Sequence, residues 1–260
     1  MDRRKFLNTV SVTAAASIAG ATTFSGKADA LEEAMEEALE PKRRAKPGFC
    51  TIGDKRDRDP NDNRPYYQHN DPALAVMPKA PTLMDFYKMR FPTNHVTQSA
   101  RLALKNGSSE KVIMACLLHD IGLNIRGTDH GYWCAQLVRP YVDEEVAWAI
   151  EKHQALRFLP DPSVDYEYPE AYIRLFGEDY VPEDYIMEEG KKAREHKWYM
   201  SSREITINDV YAFDPDLQVD IEDFTDIMAR NFKQPKEGLG FDGSPVAHMW
   251  RTFIWPTNFL

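Results

Sequence analysis

Cysteine is scarce in this chain, with three residues in 260: Cys50, Cys116 and Cys134. That is no disulfide framework. Cys116 falls inside an apolar run and reads as a small core residue, and a Cys50–Cys134 bridge is left open. Basic residues are in the minority, 32 Lys and Arg against 41 Asp and Glu, for a formal charge of −9. With no basic aromatic stripe to offset that charge, nucleic acid is excluded as a partner. No apolar run is long enough for a confident membrane span. Strand signals are few and no internal repeat is visible. What remains is a composition of 43% hydrophobic and 28% charged residues. It can build a real core as one large domain or two small ones.

The N-terminus has the layout of a targeting segment. Arg3-Arg4 precede Phe6-Leu7, a mild apolar run follows to about Thr23, and Ala28-Asp29-Ala30 is a small-x-small cleavage site. The paired arginines resemble a twin-arginine signal, so residues 1–30 are expected to be removed near Ala30 after engagement with that export machinery. Such export carries folded proteins, often with a cofactor in place. Localisation is then expected to be periplasmic or otherwise extracytoplasmic. Residues 31–81 read as an arm or linker: a short acidic helix at Leu31–Leu39, then irregular chain with Pro41, Pro47, Pro60, Pro65, Pro72, Pro78 and Pro81. His69 in this arm reads as a surface residue.

From residue 82 to 260 the expectation is an all-α domain. Thr93 or Asn94 caps a helix to about Lys105, with Val96, Ala100, Ala103 and Leu104 on its apolar face. Val112 to Leu118 is apolar on every side, which predicts a helix buried all round, capped by Ser108 or Ser109 and ended at Gly122. Leu83–Met89 reads as a short helix or ordered loop. Further helices are predicted at His130–Val138, Asp143–Ala155, near Glu170–Phe176, from Pro182-Glu183-Asp184 to about Trp198, and at Ser201–Phe213; the tail from Ile221 ends with His248-Met249-Trp250 on a short helix.

The greasy helix over residues 112–118 delivers His119 and Asp120 at its inner end. An unpaired buried carboxylate costs several kcal/mol. An adjacent imidazole and carboxylate there call for a strong partner, and a metal cation accepts both. Other residues at helix ends or on inner faces extend the set: His95, His130, His153 and Asp214, with Asp209 and Asp216 as rivals of the last. Four imidazoles and two carboxylates suit two first-row metal ions, iron or manganese above others. His196, in a charged face, and His248, in a covering segment, are not expected to be ligands.

The order His, His-Asp, His, His, Asp resembles the HD-domain superfamily, in its dinuclear branch, over roughly residues 83–216. The motifs are FPTNHVTQSA, ACLLHDIG, TDHGYWCAQLV, AIEKHQAL and YAFDPD. The resemblance implies one ion on His95, His119, Asp120 and Asp214 and a second on Asp120, His130 and His153, with Asp120 bridging. It also implies a helical HD bundle. Two chemistries exist in that branch. One is that of mixed-valent Fe(II)/Fe(III) oxygenases, such as myo-inositol oxygenase and the phosphonate-cleaving oxygenase, which use O₂ to break a C–C or C–P bond. The other is phosphohydrolysis by a metal-activated hydroxide, with Mn, Mg or Zn also admissible. The export signal favours the oxygenase, since nucleotide esters are scarce outside the cytoplasm. A non-catalytic HD binding module is the third reading.

By the same resemblance, Arg157, four residues after His153, matches a basic residue that contacts an anionic substrate group. A guanidinium fork suits phosphonate or carboxylate. Arg126 is a second such candidate. Asp85 and Tyr87 match the region where those oxygenases carry a lid over the open coordination site.

Overall fold

The computed structural model describes residues 75–123 and 129–255, all within the second of two compact units, Gln68–Leu260. The targeting segment, most of the arm with His69, and Arg126 lie outside the described residues.

Ten helices are present among the described residues: α1 Leu83–Arg90, α2 Asn94–Lys105, α3 Glu110–Leu118, α4 His130–Val138, α5 Glu144–Leu156, α6 Glu170–Phe176, α7 Asp184–Arg194, α8 Tyr199–Val210, α9 Thr225–Asn231 and α10 Ala247–Ile254. Two short 3₁₀ turns and one isolated bridge, Asp161–Tyr166, complete the regular structure, and no strand occurs among these residues. The fold is all-α.

Helix α3 is the axis. The Ser109 hydroxyl accepts the Val112 N–H and caps its start, and all seven residues from Val112 to Leu118 are buried. Helices α2, α5, α8 and α9 pack around it, which explains why its sequence has no polar face. Each such aliphatic side chain contributes about 1.5–3 kcal/mol when fully buried. Helix α5, capped by Asp143 through the Glu145 N–H, touches α3, α4, α7 and α8. Helices α3 and α5 thus place their C-terminal ends in the same interior region.

Two glycines act through what they lack. A Cβ at Gly131, on α4, would meet the Ile150 carbonyl at 2.8 Å and His153 Cε1 at 3.2 Å. The bare backbone lets α4 sit hard against α5 and brings His130 beside His153. Gly122 was expected to end α3, but the helix ends at Leu118 and the glycine serves close approach instead. A Cβ there would lie 2.7 Å from Cys134 Sγ, and its N–H donates to that sulfur at 2.8 Å. Cys116 and Cys134 are both free and buried.

Helix α10 packs on α1. Trp250 on α10 meets Phe86 edge-on with ring centroids 5.3 Å apart, and its indole N–H donates to the Leu137 carbonyl at 3.0 Å. Helix α8 departs from the expected span. It starts at Tyr199 and stops at Val210 rather than running from Ser201 to Phe213. Pro215 disfavours helical geometry at Asp214, and the Asp214 backbone bonds instead to the Gln98 side chain. Likewise α7 stops at Arg194, short of Trp198.

Candidate metal centre

Five segments converge on one buried point. His95 lies in the first turn of α2, His119 and Asp120 just past α3, His130 at the start of α4, His153 in the last turn of α5 and Asp209 in the last turn of α8. His119 and His153 are wholly inaccessible, and His130, Asp120 and Asp209 are buried. Nitrogen and oxygen atoms face one another at ligand-like spacing. His95 Nε2 is 3.4 Å from Asp120 Oδ2 and 2.9 Å from Asp209 Oδ1. His119 Nε2 is 3.6 Å from both Asp120 Oδ1 and Asp209 Oδ1. On the other side, His130 Nε2 is 3.4 Å from Asp120 Oδ1 and 3.1 Å from His153 Nε2.

The outer ring nitrogens fix which way the lone pairs point. His95 Nδ1 is 3.0 Å from the Ala212 carbonyl and His119 Nδ1 is 2.7 Å from the Cys116 carbonyl. His153 Nδ1 meets the Ile150 carbonyl. A carbonyl can only accept, so each Nδ1 must donate. In the neutral ring the lone pair is then on Nε2, directed inward, as metal-ligating histidines are arranged. Yet His95 Nε2, His119 Nε2 and Asp120 Oδ1 are buried without a hydrogen-bond partner. The 2.9 Å approach of His95 to Asp209 is therefore a contact, not an aligned hydrogen bond. Each orphaned buried polar atom costs about 1–3 kcal/mol, and a cation relieves all three together.

Two ligand triads result, His95–His119–Asp120 and Asp120–His130–His153, with donor atoms within 4.8 Å of one another in each. Asp120 is common to both. Asp209 adjoins the first. The donor set is nitrogen and carboxylate oxygen, suited to first-row divalent or trivalent ions.

The electrostatics agree. Burial works to lower the basicity of His119, but Asp120 and Asp209 raise it to about 9: the field of the bare cluster selects positive charge. His153 is lowered by burial and by His130 and His119. Burial would raise Asp209, but the Arg157 guanidinium and the two histidines hold it well below the usual carboxylate range.

Arg157 lies at this centre, its Nη2 donating to Asp209 Oδ2. Its own carbonyl accepts the Tyr166 hydroxyl at 2.9 Å, and the Tyr172 ring lies 5.3 Å from the guanidinium carbon.

Three expectations are corrected. Asp214 is exposed on the loop after α8, its carboxylate accepting the Asp216 N–H, and neither residue reaches the cluster. The carboxylate at the centre is Asp209. It completes a buried stripe Ser202, Ile205, Thr206, Asp209 on α8, a periodicity visible in the sequence once the helix is ended before Phe213. Asp85 caps α1 by accepting the Thr82 N–H at 2.9 Å. Tyr87 is core: it is buried, and its hydroxyl donates to the Leu117 carbonyl at 2.7 Å. Neither Asp85 nor Tyr87 is a lid over the cluster. His248 is exposed, and His196 stacks on Trp148 with centroids 4.1 Å apart, so neither joins the site. Sequence reasoning missed Gln98, Tyr166, Tyr172 and Phe213 as neighbours of the centre.

Residues 94–190, less than half of the chain, match the family profile of the HD domain. The match takes in His95, His119, Asp120, His130 and His153 and ends before Asp209. No curated protein matches the chain.

Proposed function

We propose that this protein is a dinuclear HD metalloenzyme, and that it is an iron oxygenase cleaving a C–C or C–P bond of a small anionic substrate with O₂. The observation carrying the reading is the shared carboxylate: one buried aspartate, Asp120, belongs to two ligand triads, each otherwise made of imidazoles. A mononuclear hydrolase has no use for the second triad, and a nitrogen-rich donor set suits iron better than magnesium. His95, His119, Asp120 and Asp209 would hold one ion and Asp120, His130 and His153 the other. When bound, such a pair supplies Lewis acidity and one-electron chemistry.

The chain's own residues do the rest. Leu117, Leu118 and Ile121, all fully buried, keep water from the inner side of the cluster. The Cys116, Ile150 and Ala212 carbonyls hold three imidazoles by Nδ1. Arg157 carries positive charge beside the centre. Its Nε is buried without a partner while Nη2 is taken by Asp209, so a further donor is on hand for an anionic group. The leader expected from Arg3-Arg4 would suit loading with metal before export.

The test is elemental analysis with EPR on protein purified under low oxygen. Two irons per chain and a mixed-valent signal are expected. Two redox-silent ions together with turnover of a phosphate ester would replace the oxygenase by a phosphohydrolase. No bound metal would remove both.

A further inference from the structure

The loop that follows α8 is built around His95. The Ala212 carbonyl takes the His95 Nδ1 proton at 3.0 Å. The next residue, Phe213, lies flat on the same imidazole, with centroids 4.3 Å apart and planes at 18°. Phe213 is 69% exposed. An aromatic ring with one face on a histidine and the other in water gains little from burial, so core packing does not account for its position.

What holds this loop is Gln98, one turn along α2 from His95 and buried. Its Oε1 accepts the Asp214 N–H at 2.9 Å, and its Nε2 donates to the Asp214 and Leu217 carbonyls at 2.7 and 2.9 Å. Two carbonyl acceptors settle the orientation of the amide, since only the NH₂ end can serve them. The side chain thereby replaces the helical partners that the Asp214 backbone lost when α8 ended. Helix α2 thus carries both the imidazole and the clamp on the loop that orients it.

We infer that Gln98 and Phe213 are positioning residues for His95: Gln98 pins the loop of residues 212–217, whose Ala212 carbonyl sets the tautomer of His95 and whose Phe213 ring sets its plane. This rests on the reading of the cluster as a two-ion site. Partners in this outer position weaken metal binding by roughly 10–100-fold when removed. The effect should fall more on one ion than on the other, because His130 and His153 take their orientation from other elements.

The test is Mn²⁺ titration of the full chain by calorimetry, with ¹⁵N NMR of the histidine rings in metal-free protein, on wild type, Gln98→Met, Phe213→Ala and Phe213→Trp. Wild type should bind two ions and show His95 protonated at Nδ1. Gln98→Met and Phe213→Ala should each weaken one ion roughly 10–100-fold and the other by less, and Phe213→Trp should keep both. Gln98→Met should also lose the His95 Nδ1–H signature. Equal weakening of both ions, or no weakening, overturns the proposal while the two-ion reading stands. If wild type binds no ion, that reading fails, and the NMR arm then decides the tautomer claim alone: an Nδ1–H unchanged in Gln98→Met overturns it.

Discussion

One oxygen of Asp209 is bound by the Arg157 guanidinium while the other faces His95 at 2.9 Å. The carboxylate is thus divided between a fixed cation behind it and the cluster in front. Removing the cation strands a buried negative charge. Arg157→Met should destabilise the metal-free protein by about 3–5 kcal/mol. Metal should restore part of that, since an ion replaces the missing charge. Urea unfolding with and without Mn²⁺ checks it; an equal loss in both conditions would separate Arg157 from the cluster.

Ligand identity is read by metal content. Asp209→Ala and His95→Ala should each lose one ion, His130→Ala and His153→Ala the other, and Asp120→Ala both. Asp214→Ala should keep two, because its carboxylate is exposed and turned to the Asp216 N–H. Elemental analysis of the purified variants decides. An ion lost from Asp214→Ala and kept in Asp209→Ala would reverse the correction made to the sequence reading.

Gly131 carries the contact between α4 and α5. Gly131→Ala places a methyl 2.8 Å from a backbone oxygen of α5, and backbone does not swing aside. Overpacking of this kind costs about 1–3 kcal/mol. The helices should part, and the ion on His130 and His153 should bind more weakly. A variant with wild-type stability and wild-type metal content would show that the contact relaxes freely.

Acid should expose a different site. Asp161 accepts the Tyr199 hydroxyl and the Ser163 N–H and hydroxyl, which lower its pKa to about 2. A carboxylate depressed in the folded state adds stability above its unfolded value of about 3.9 and loses it as pH falls through the folded value. Asp161→Asn should cost about 1 kcal/mol at pH 7, allowing for solvent screening, and the gap should close toward pH 2. Denaturation of both proteins at pH 7, 4 and 2.5 measures it. A gap that stays constant would assign the loss to packing.

The helical architecture was legible because its strongest signals are local. Val112–Leu118 lacks any polar face, and Ser109 and Asp143 announce helix starts. His119, Asp120, His130 and His153 could be singled out because histidine is rare and each falls at a helix boundary. Asp209 could not be ranked above Asp214 and Asp216. The choice depended on where α8 stops, and the loop that follows it is held by a side chain 116 positions away, Gln98 on Asp214. Tyr87 and Asp85 failed for a related reason. A tyrosine and an aspartate near a motif say nothing about which carbonyl or amide they meet, and both are committed to local structure. The loop contacts of Phe213 were invisible for the same cause.

Asp120 offers two oxygens to two sets of imidazoles. Cations gripped through one carboxylate cannot load as strangers: arrival of the first settles the group that the second must use and adds a charge beside it. Whatever factor the first imposes on the second's affinity, the second returns in equal measure. If Asp120 holds two ions, as proposed, occupancy at limiting metal, whether pairs or half-filled molecules, is set through this one aspartate.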